Sequence, residues 1–299
     1  MKDASLLVSY IIVNYNGLND SLSLIDSLNK FTNCTYEIII VDNGSRENES
    51  KIISERYPQV VSIRSEKNLG FAGGNNLGVD VARGKYLFFI NNDTFIISDI
   101  VTGMIALLDE HPNIGGVSPK LKYPDDKDTL QFCGYTDLTP VTLRNRAIGF
   151  KCRDEKQFDD LHPTAFLHGA AMFIRREVIE KVGKMSEIFF LYYEEYDWSS
   201  QMLDKGYELY YYPYGCVFHK ESQSVGAMSP LKVYYITRNR LLYGWRHRNG
   251  LVCAKMVAYN MLCVVPKNAM QYILTGNFKL LRPLFKGAID FITLGDKMR

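Results

Sequence analysis

Four short apolar runs, at residues 6–13, 36–41, 60–63 and 86–90, are rich in β-branched and aromatic side chains. Between them lie stretches at about 19–30, 46–56, 72–82 and 99–110 whose apolar residues repeat at helical spacing; in the first, Leu22, Ile25 and Leu28 share a face. Runs so short and so continuous suit strands covered on both faces, as in a parallel sheet. The order βαβαβαβα predicts an α/β fold with an open, mostly parallel sheet flanked by helices.

In such sheets ligands bind beyond the carboxyl ends of the strands. Here those ends read Asn14-Tyr15-Asn16-Gly17, Asp42-Asn43-Gly44-Ser45 and Asn91-Asn92-Asp93-Thr94. One polar cluster after a greasy strand is turn chemistry; three on one rim predict a site.

The second half changes character. Residues 113–165 read as loop-rich, with Pro119, Pro124, Pro140 and Pro163; 166–174 reads as a strand, 176–182 as a short helix, 192–203 as an acidic aromatic helix and 207–212 as another strand. From Ser229 onward the pattern is helical and basic. The predicted division is one domain over 1–228, in two halves 1–112 and 113–228, and a helical amphipathic region over 229–299.

Composition narrows the function classes. With 46% apolar residues the chain can build a sizeable core, and a net charge of +2 is too small to argue for nucleic acid. The six cysteines form no CxxC pair and read as buried free thiols. Residues 1–5 lead straight into a strand with no signal-peptide pattern, so a reducing, cytoplasmic compartment is expected. The longest apolar run, 256–265, contains Asn260 and meets Pro266, so no membrane span is expected.

Four stretches carry chemistry. Asn91-Asn92-Asp93 can hold a hard divalent cation through oxygen, or can simply be an Asx turn. Asn68 to Gly78 holds four glycines at a predicted helix start, which suits either a phosphate or tight helix–sheet packing. No GxxxxGK[ST] occurs and no GxGxxG follows the first strand, which disfavours a P-loop enzyme and a dinucleotide dehydrogenase. Glu194, Glu195 and Asp197 stand among aromatics, where partial burial raises a carboxyl pKa as a general base needs, although helix first turns also favour acids. His219, just past a strand, is a further metal-ligand candidate.

In this order, the stretches resemble family 2 glycosyltransferases of the GT-A fold, and within them a rhamnosyltransferase-like branch. The residues that carry the resemblance are Asn14-Tyr15-Asn16, Val41-Asp42-Asn43-Gly44-Ser45, the glycine and asparagine run, Asn91-Asn92-Asp93, the segment from Gly169 to Arg176, the acidic aromatic segment and the segment from Pro213 to His219. The resemblance implies an inverting transfer of a sugar from a nucleotide diphosphate donor, dTDP-rhamnose or a UDP-hexose, to a hydroxyl of a cell-surface or lipid-linked glycan. It implies that Asp42 bonds the base and Tyr15 lines its pocket, with Asn16, Asn43 and Asn92 on the donor side. Gly73, Gly74 and Asn75 would face the nucleotide and diphosphate. Asp93 and His219 would hold Mg²⁺ or Mn²⁺. Glu195, where the family carries Asp, would be the base, with Asp197 as the alternative. Two other classes remain open: a nucleotidyltransferase of sugar activation, against which the cation-free loop Asn14 to Asp20 argues, and a non-catalytic sugar-binding protein.

The last fifth of the chain mixes seven cations with Asp290 and Asp296 and interleaves apolar residues such as Leu274, Leu284 and Ile292. That pattern describes either a helix lying in an anionic membrane interface or a hairpin packed on the catalytic domain or on a second subunit of a homodimer.

Overall fold

The computed structural model describes residues 7–220 and 229–295. The expected alternation is present: β1 (Val8–Asn14), α1 (Leu18–Phe31), β2 (Tyr36–Asp42), α2 (Glu49–Arg56), β3 (Val61–Arg64), α3 (Gly70–Val81) and β4 (Tyr86–Ile90). These strands pair in parallel in the order β3-β2-β1-β4. The period of two in a strand sends neighbours to opposite faces. Tyr10, Ile12, Ile38, Ile40 and Phe88 pack into one core layer, and Ile11, Ile39, Leu87 and Phe89 into the other. Burying each such side chain stabilises the fold by about 1.5–3 kcal/mol.

Beyond β4 the chain forms β5 (Thr94–Ile96), α4 (Val101–Glu110), β6 (Ile114–Lys122), β7 (Leu130–Phe132), β8 (His162–Pro163), β9 (Ala171–Arg175), α5 (Arg176–Val182), α6 (Glu194–Asp204) and β10 (Glu208–His219). The sheet continues β4-β9-β6-β10-β5. Six of its strands run one way, as expected, and two on this path are reversed: β9 runs antiparallel between β4 and β6, and β5 antiparallel to β10. The reason is where β9 starts. Asn91 N–H, just past the end of β4, bonds Ala170 O at 3.0 Å, so β9 enters at the rim and can only run back down.

Three sequence expectations need correction. Residues 166–170 are not strand, because Ala171 N–H closes a tight turn on His168 O at 2.9 Å. Within the stretch read as loop, 114–122 is a buried strand despite Pro119. Pro119 faces Tyr212, next to a bulge where the ladder is already irregular. The same bulge, over 213–215, lets β10 continue past Pro213 to His219 instead of ending at Tyr212.

The basic region forms α7 (Pro230–His247), α8 (Gly250–Tyr259), α9 (Val265–Leu274) and α10 (Leu281–Gly295). Pro266 does not end the helix as expected. It lies in the first turn of α9, where no donor is needed, after a wide turn at Asn260–Val264. Gly250–Leu274 is thus one helix of 25 residues, with mean hydropathy 1.2 over an 18-residue stretch, long and apolar enough by length and composition to cross a membrane. Leu241, Leu242, Tyr243, Met256 and Phe291 pack with Phe166, Phe189 and Tyr193, which seats these helices on the sheet-bearing part. The thiols also depart from expectation: Cys133 and Cys253 are buried, but Cys152 and Cys263 are exposed, and none of the six forms a disulfide. The segment 1–5, the boundary at 228 and the charges at 296–299 lie outside the described residues.

Candidate active site

β1, β2, β3, β4, β6 and β10 all end on one rim. There β5 pairs with the end of β10, Thr94 opposite His219. That register sets Asp93 Oδ1 3.3 Å from His219 Nε2, both side chains largely buried. His219 Nδ1 lies 2.8 Å from Gln131 Oε1. An amide oxygen only accepts, so Nδ1 carries the hydrogen and Nε2 is the nitrogen aimed at the carboxylate. A carboxylate and an imidazole nitrogen facing each other at that distance are placed to share a cation, and an imidazole fixed through its other nitrogen is how metal-ligating histidines are held. Among the described residues no cluster of three or more His, Cys, Asp or Glu side chains forms a metal cage. His168, which the sequence reading passed over, stands edge-on to His219 with ring centroids 6.2 Å apart, and burial pushes its pKa down to about 3.

Most of the residues expected on the donor side are committed to the protein itself. Asp42 is fully buried; its oxygens take the N–H groups of Ser45 and Ser50 and the Arg64 guanidinium at 2.5 Å. No edge of that carboxylate is left for a base. Arg64, one third exposed, stands over it; a cation at a strand end was the signal, and the motif reading did not use it. Asn43 spends its amide on Gly70 O and Leu69 N–H, and Asn92 directs its Nδ2 to Gly17 O and Ser21 Oγ. Asn16 ties its loop to that of Ser45 and Arg46. Tyr15 keeps an open ring, 42% exposed.

The glycines turn out to be packing residues. A Cβ on Gly74 would lie 2.9 Å from Val13 Cγ1, one on Gly73 2.8 Å from Leu69 Cβ, and one on Gly78 2.5 Å from Ile11 Cγ2. Gly74 and Gly78 let α3 approach β1, and Gly73 makes room for Leu69 at the start of the helix. The helix start is not free for an anion either, because Gly70 N–H goes to Asn68 Oδ1 at 2.8 Å and Phe71 N–H to Phe190 O at 2.6 Å. Asn75 is buried and bonds Phe71 O one turn back. Asn76, not singled out from the sequence, holds Met185 and Glu187.

The acidic segment opens α6. Before it, Phe190, Tyr192 and Tyr193 all adopt left-handed φ (63°, 68° and 76°), which is unfavourable for bulky residues. A clamp from α7 holds them: Asn239 Nδ2 lies 2.7–2.8 Å from the carbonyls of Phe189, Leu191 and Tyr192, and Arg238 Nη2 donates to Ile188 O and Phe189 O. This loop aims the first turn of α6 at the rim, where a Cβ on Gly169 would lie 3.9 Å from Glu195 Cγ. Burial raises the Glu195 pKa to about 7. Burial, then repulsion from Glu195, raises Glu194 well above the carboxylate range, and its Oε2 has no partner. Asp197 is fully buried and saturated: His247 and Gln201 reach it at 2.7 Å and Arg246 at 3.3 Å. Of the two expected bases, only Glu195 faces the rim with a carboxyl free to exchange a proton.

The sequence profile of Glycosyl transferase family 2 matches residues 9–183, more than half of the chain. An uncharacterized protein of Sinorhizobium fredii is 28% identical over 74% of this chain and 25% of its own length. An uncharacterized glycosyltransferase of Haemophilus influenzae is 26% identical, with 73% and 71% covered. The low-salt glycan biosynthesis hexosyltransferase Agl10 of Haloferax volcanii is 27% identical, with 63% and 59% covered. The chain thus spans a quarter of the first relative and 59% of the third. Among solved structures, GalNAc-T7 with UDP, GalNAc and Mn²⁺ superposes with a TM-score of 0.58 at 15% identity, covering 91% of this chain and 59% of its own. The mannosyltransferase PcManGT of Pyrobaculum calidifontis with GDP-Man and Mn²⁺ gives 0.57 at 13% identity, covering 95% and 86%. These likenesses establish the GT-A fold.

The clamp generates a prediction. Asn239→Ala strips the donor from the strained loop carbonyls, a loss of about 1–3 kcal/mol. Thermal unfolding should shift down by roughly 2–10 °C for a chain of this size. An unchanged Tm would mean that the loop holds itself.

Proposed function

The chain belongs to glycosyl transferase family 2, and on that ground we propose that it moves a sugar from a nucleoside diphosphate donor, dTDP-rhamnose or a UDP-hexose, to a hydroxyl of a cell-surface or lipid-linked glycan. The observation that carries this reading is the Asp93–His219 pair on the rim, with His219 Nε2 3.3 Å from a carboxylate oxygen and its Nδ1 held by Gln131. Those two side chains would hold Mg²⁺ or Mn²⁺, with phosphate and water oxygens as the other ligands. When bound, the ion supplies neutralisation of the charge that develops on the departing diphosphate. The Mn²⁺ complexes of the structural neighbours support the same assignment.

The chain's own residues divide the remaining work. Tyr15 offers an open ring against the base. Asp42, sealed beneath Arg64, acts by fixing that guanidinium at the rim rather than by touching the base itself. Glu195 takes the proton of the acceptor hydroxyl as its oxygen attacks the anomeric carbon and the bond to the diphosphate breaks. A pKa of about 7 suits that task, since the group is substantially ionised at neutral pH yet still binds a proton well. Asp197, saturated by its neighbours, is no nucleophile, so a single displacement with inversion follows.

Glu195→Gln keeps the shape and loses the proton acceptor. It should lower kcat by about 10²–10⁴-fold. The base must be ionised, so wild-type kcat should climb with pH through about 7, and the residual rate of the variant should lose that limb. Excess EDTA should abolish transfer, and NMR should show the inverted anomer. Near-normal turnover of Glu195→Gln in a screen of nucleotide sugars would refute the assignment.

The second part of the proposal is location, at the cytoplasmic face of the plasma membrane. The outer side of the carboxyl-terminal helices exposes Leu251, Leu262, Leu274, Phe278, Phe285 and Ile292, each 47–79% accessible. Lys255, Lys267, Lys279 and Arg282 lie among them. Apolar side chains ringed by cations match an anionic bilayer surface, each cation adding about 1 kcal/mol near the headgroups. The intact protein should sediment with anionic liposomes at low salt, and Leu274→Asp with Phe278→Asp should release it. No sedimentation of the wild type would overturn the location. A dimer in light scattering, lost in the same variant, would assign the face to a second copy.

A further inference from the structure

We propose that His168, through the hydrogen on its Nε2, holds a phosphate oxygen of the bound nucleoside diphosphate; this rests on the reaction proposed above. The residue lies just before the segment from Gly169 to Arg176, outside the stretches that carry the family resemblance.

Its hydrogen is placed by one bond. Ala170 N–H donates to His168 Nδ1 at 3.1 Å. A nitrogen that accepts carries no hydrogen, so the ring is neutral and its hydrogen sits on Nε2. The backbone around it is tied on both sides: His168 N–H donates to Ser118 Oγ at 2.9 Å, and Ala171 N–H donates to His168 O at 2.9 Å. A flipped ring would set a carbon against the Ala170 N–H and leave that donor unpaired, which is costly.

The faces of the ring are packed. Tyr135 stacks on it with centroids 5.7 Å apart and planes 5° apart, and Phe132 leans against it at 4.9 Å and 59°. Nε2 is the polar atom left over. It has no hydrogen-bond partner among the described residues, and the nitrogens of an imidazole point away from each other, so Nε2 is directed away from the start of β9. The ring also borders both parts of the site. His219 stands edge-on to it with centroids 6.2 Å apart. On the other side the next residue, Gly169, lies against Glu195.

The chemistry selects the ligand. An Nε2–H only donates, so its partner is an acceptor. The acceptors that a nucleoside diphosphate brings to the Asp93–His219 pair are phosphate oxygens, and hydrogen bonds to charged groups are the stronger kind. A lysine or arginine in this place would set a positive charge beside a cation held by that pair and repel it. A neutral imidazole donates without that repulsion. Its bond strengthens as charge builds on the departing diphosphate, which is when a fixed donor aids the reaction most.

The test is binding, not turnover. UDP, dTDP, uridine and thymidine, each with Mg²⁺, are titrated calorimetrically into wild type, His168→Phe and His168→Gln. His168→Phe keeps an aromatic ring against Tyr135 and loses the donor; it should weaken the preferred diphosphate about 10–100-fold and leave its nucleoside unchanged. His168→Gln, which keeps an N–H within reach, should recover most of that loss. Nitrogen NMR of the wild type reads the same contact without a variant fold: the His168 Nε2 resonance, assigned by its absence from His168→Gln, should move on addition of the diphosphate and not of the nucleoside. An unchanged diphosphate affinity in His168→Phe, an equal loss for nucleoside and diphosphate, or an unmoved Nε2 resonance in wild type saturated with diphosphate makes His168 a packing residue and overturns the assignment, as does an effect that appears only with the whole nucleotide sugar. Failure of the wild type to bind either diphosphate would instead sink the proposed reaction, and this contact with it.

Discussion

The antiparallel pairing of β5 with the last residues of β10 is the constraint on which the site depends. A parallel strand ending on the rim delivers a backbone and a polar turn, but nothing in that turn fixes where a side chain points. When the chain doubles back after Asp93 and pairs Thr94 with His219, it brings together two groups far apart in sequence. Gln131, on the short strand beside β6, then sets the His219 tautomer. A one-residue slip in this ladder would turn His219 to the opposite face of the sheet.

The proposed base is positioned by a different device, and it comes from the far end of the chain. Three bulky residues in left-handed conformations are unfavourable by order 1–3 kcal/mol each, so the loop before α6 needs outside support. Arg238 and Asn239 provide it from the middle of α7 by taking up the carbonyls of Ile188 to Tyr192. α7, against which α10 packs, therefore holds the loop before α6 in place. The same arrangement buries two adjacent carboxyls. Burial and its neighbour both raise the Glu194 pKa well above its ordinary value, and burial raises that of Glu195 to about 7.

The sheet was readable from the sequence because strands covered on both faces leave an unmistakable apolar run, and each of the four predicted strands lies within two residues of its place. Motif order singled out Asp93, His219 and Glu195, and the fold sets Asp93 beside His219. What the sequence could not convey was the direction of side chains at the rim. Asn43 and Asn92 look like ligand contacts, yet exposed turns leave backbone groups unpaired, and the nearest amides are spent on them. Gly73 and Gly74 look like a phosphate loop, but Gly74 lets α3 lie close to β1 and Gly73 makes room for Leu69. Pro119 and Pro266 look like breaks, and each sits where no donor is required. Asn239 gave no signal at all, because an amide in a helix is ordinary until the loop it clamps is known.

The metal pair is the central claim, and it can be tested without turnover. Mn²⁺ is added to the intact protein with UDP, and the electron spin echo is recorded for wild type and His219→Gln. The account predicts an imidazole nitrogen coupling in the wild type that disappears in the variant, while Mn²⁺ binding weakens and does not vanish because Asp93 remains. An imidazole coupling that persists in His219→Gln, or none in the wild type, would contradict it.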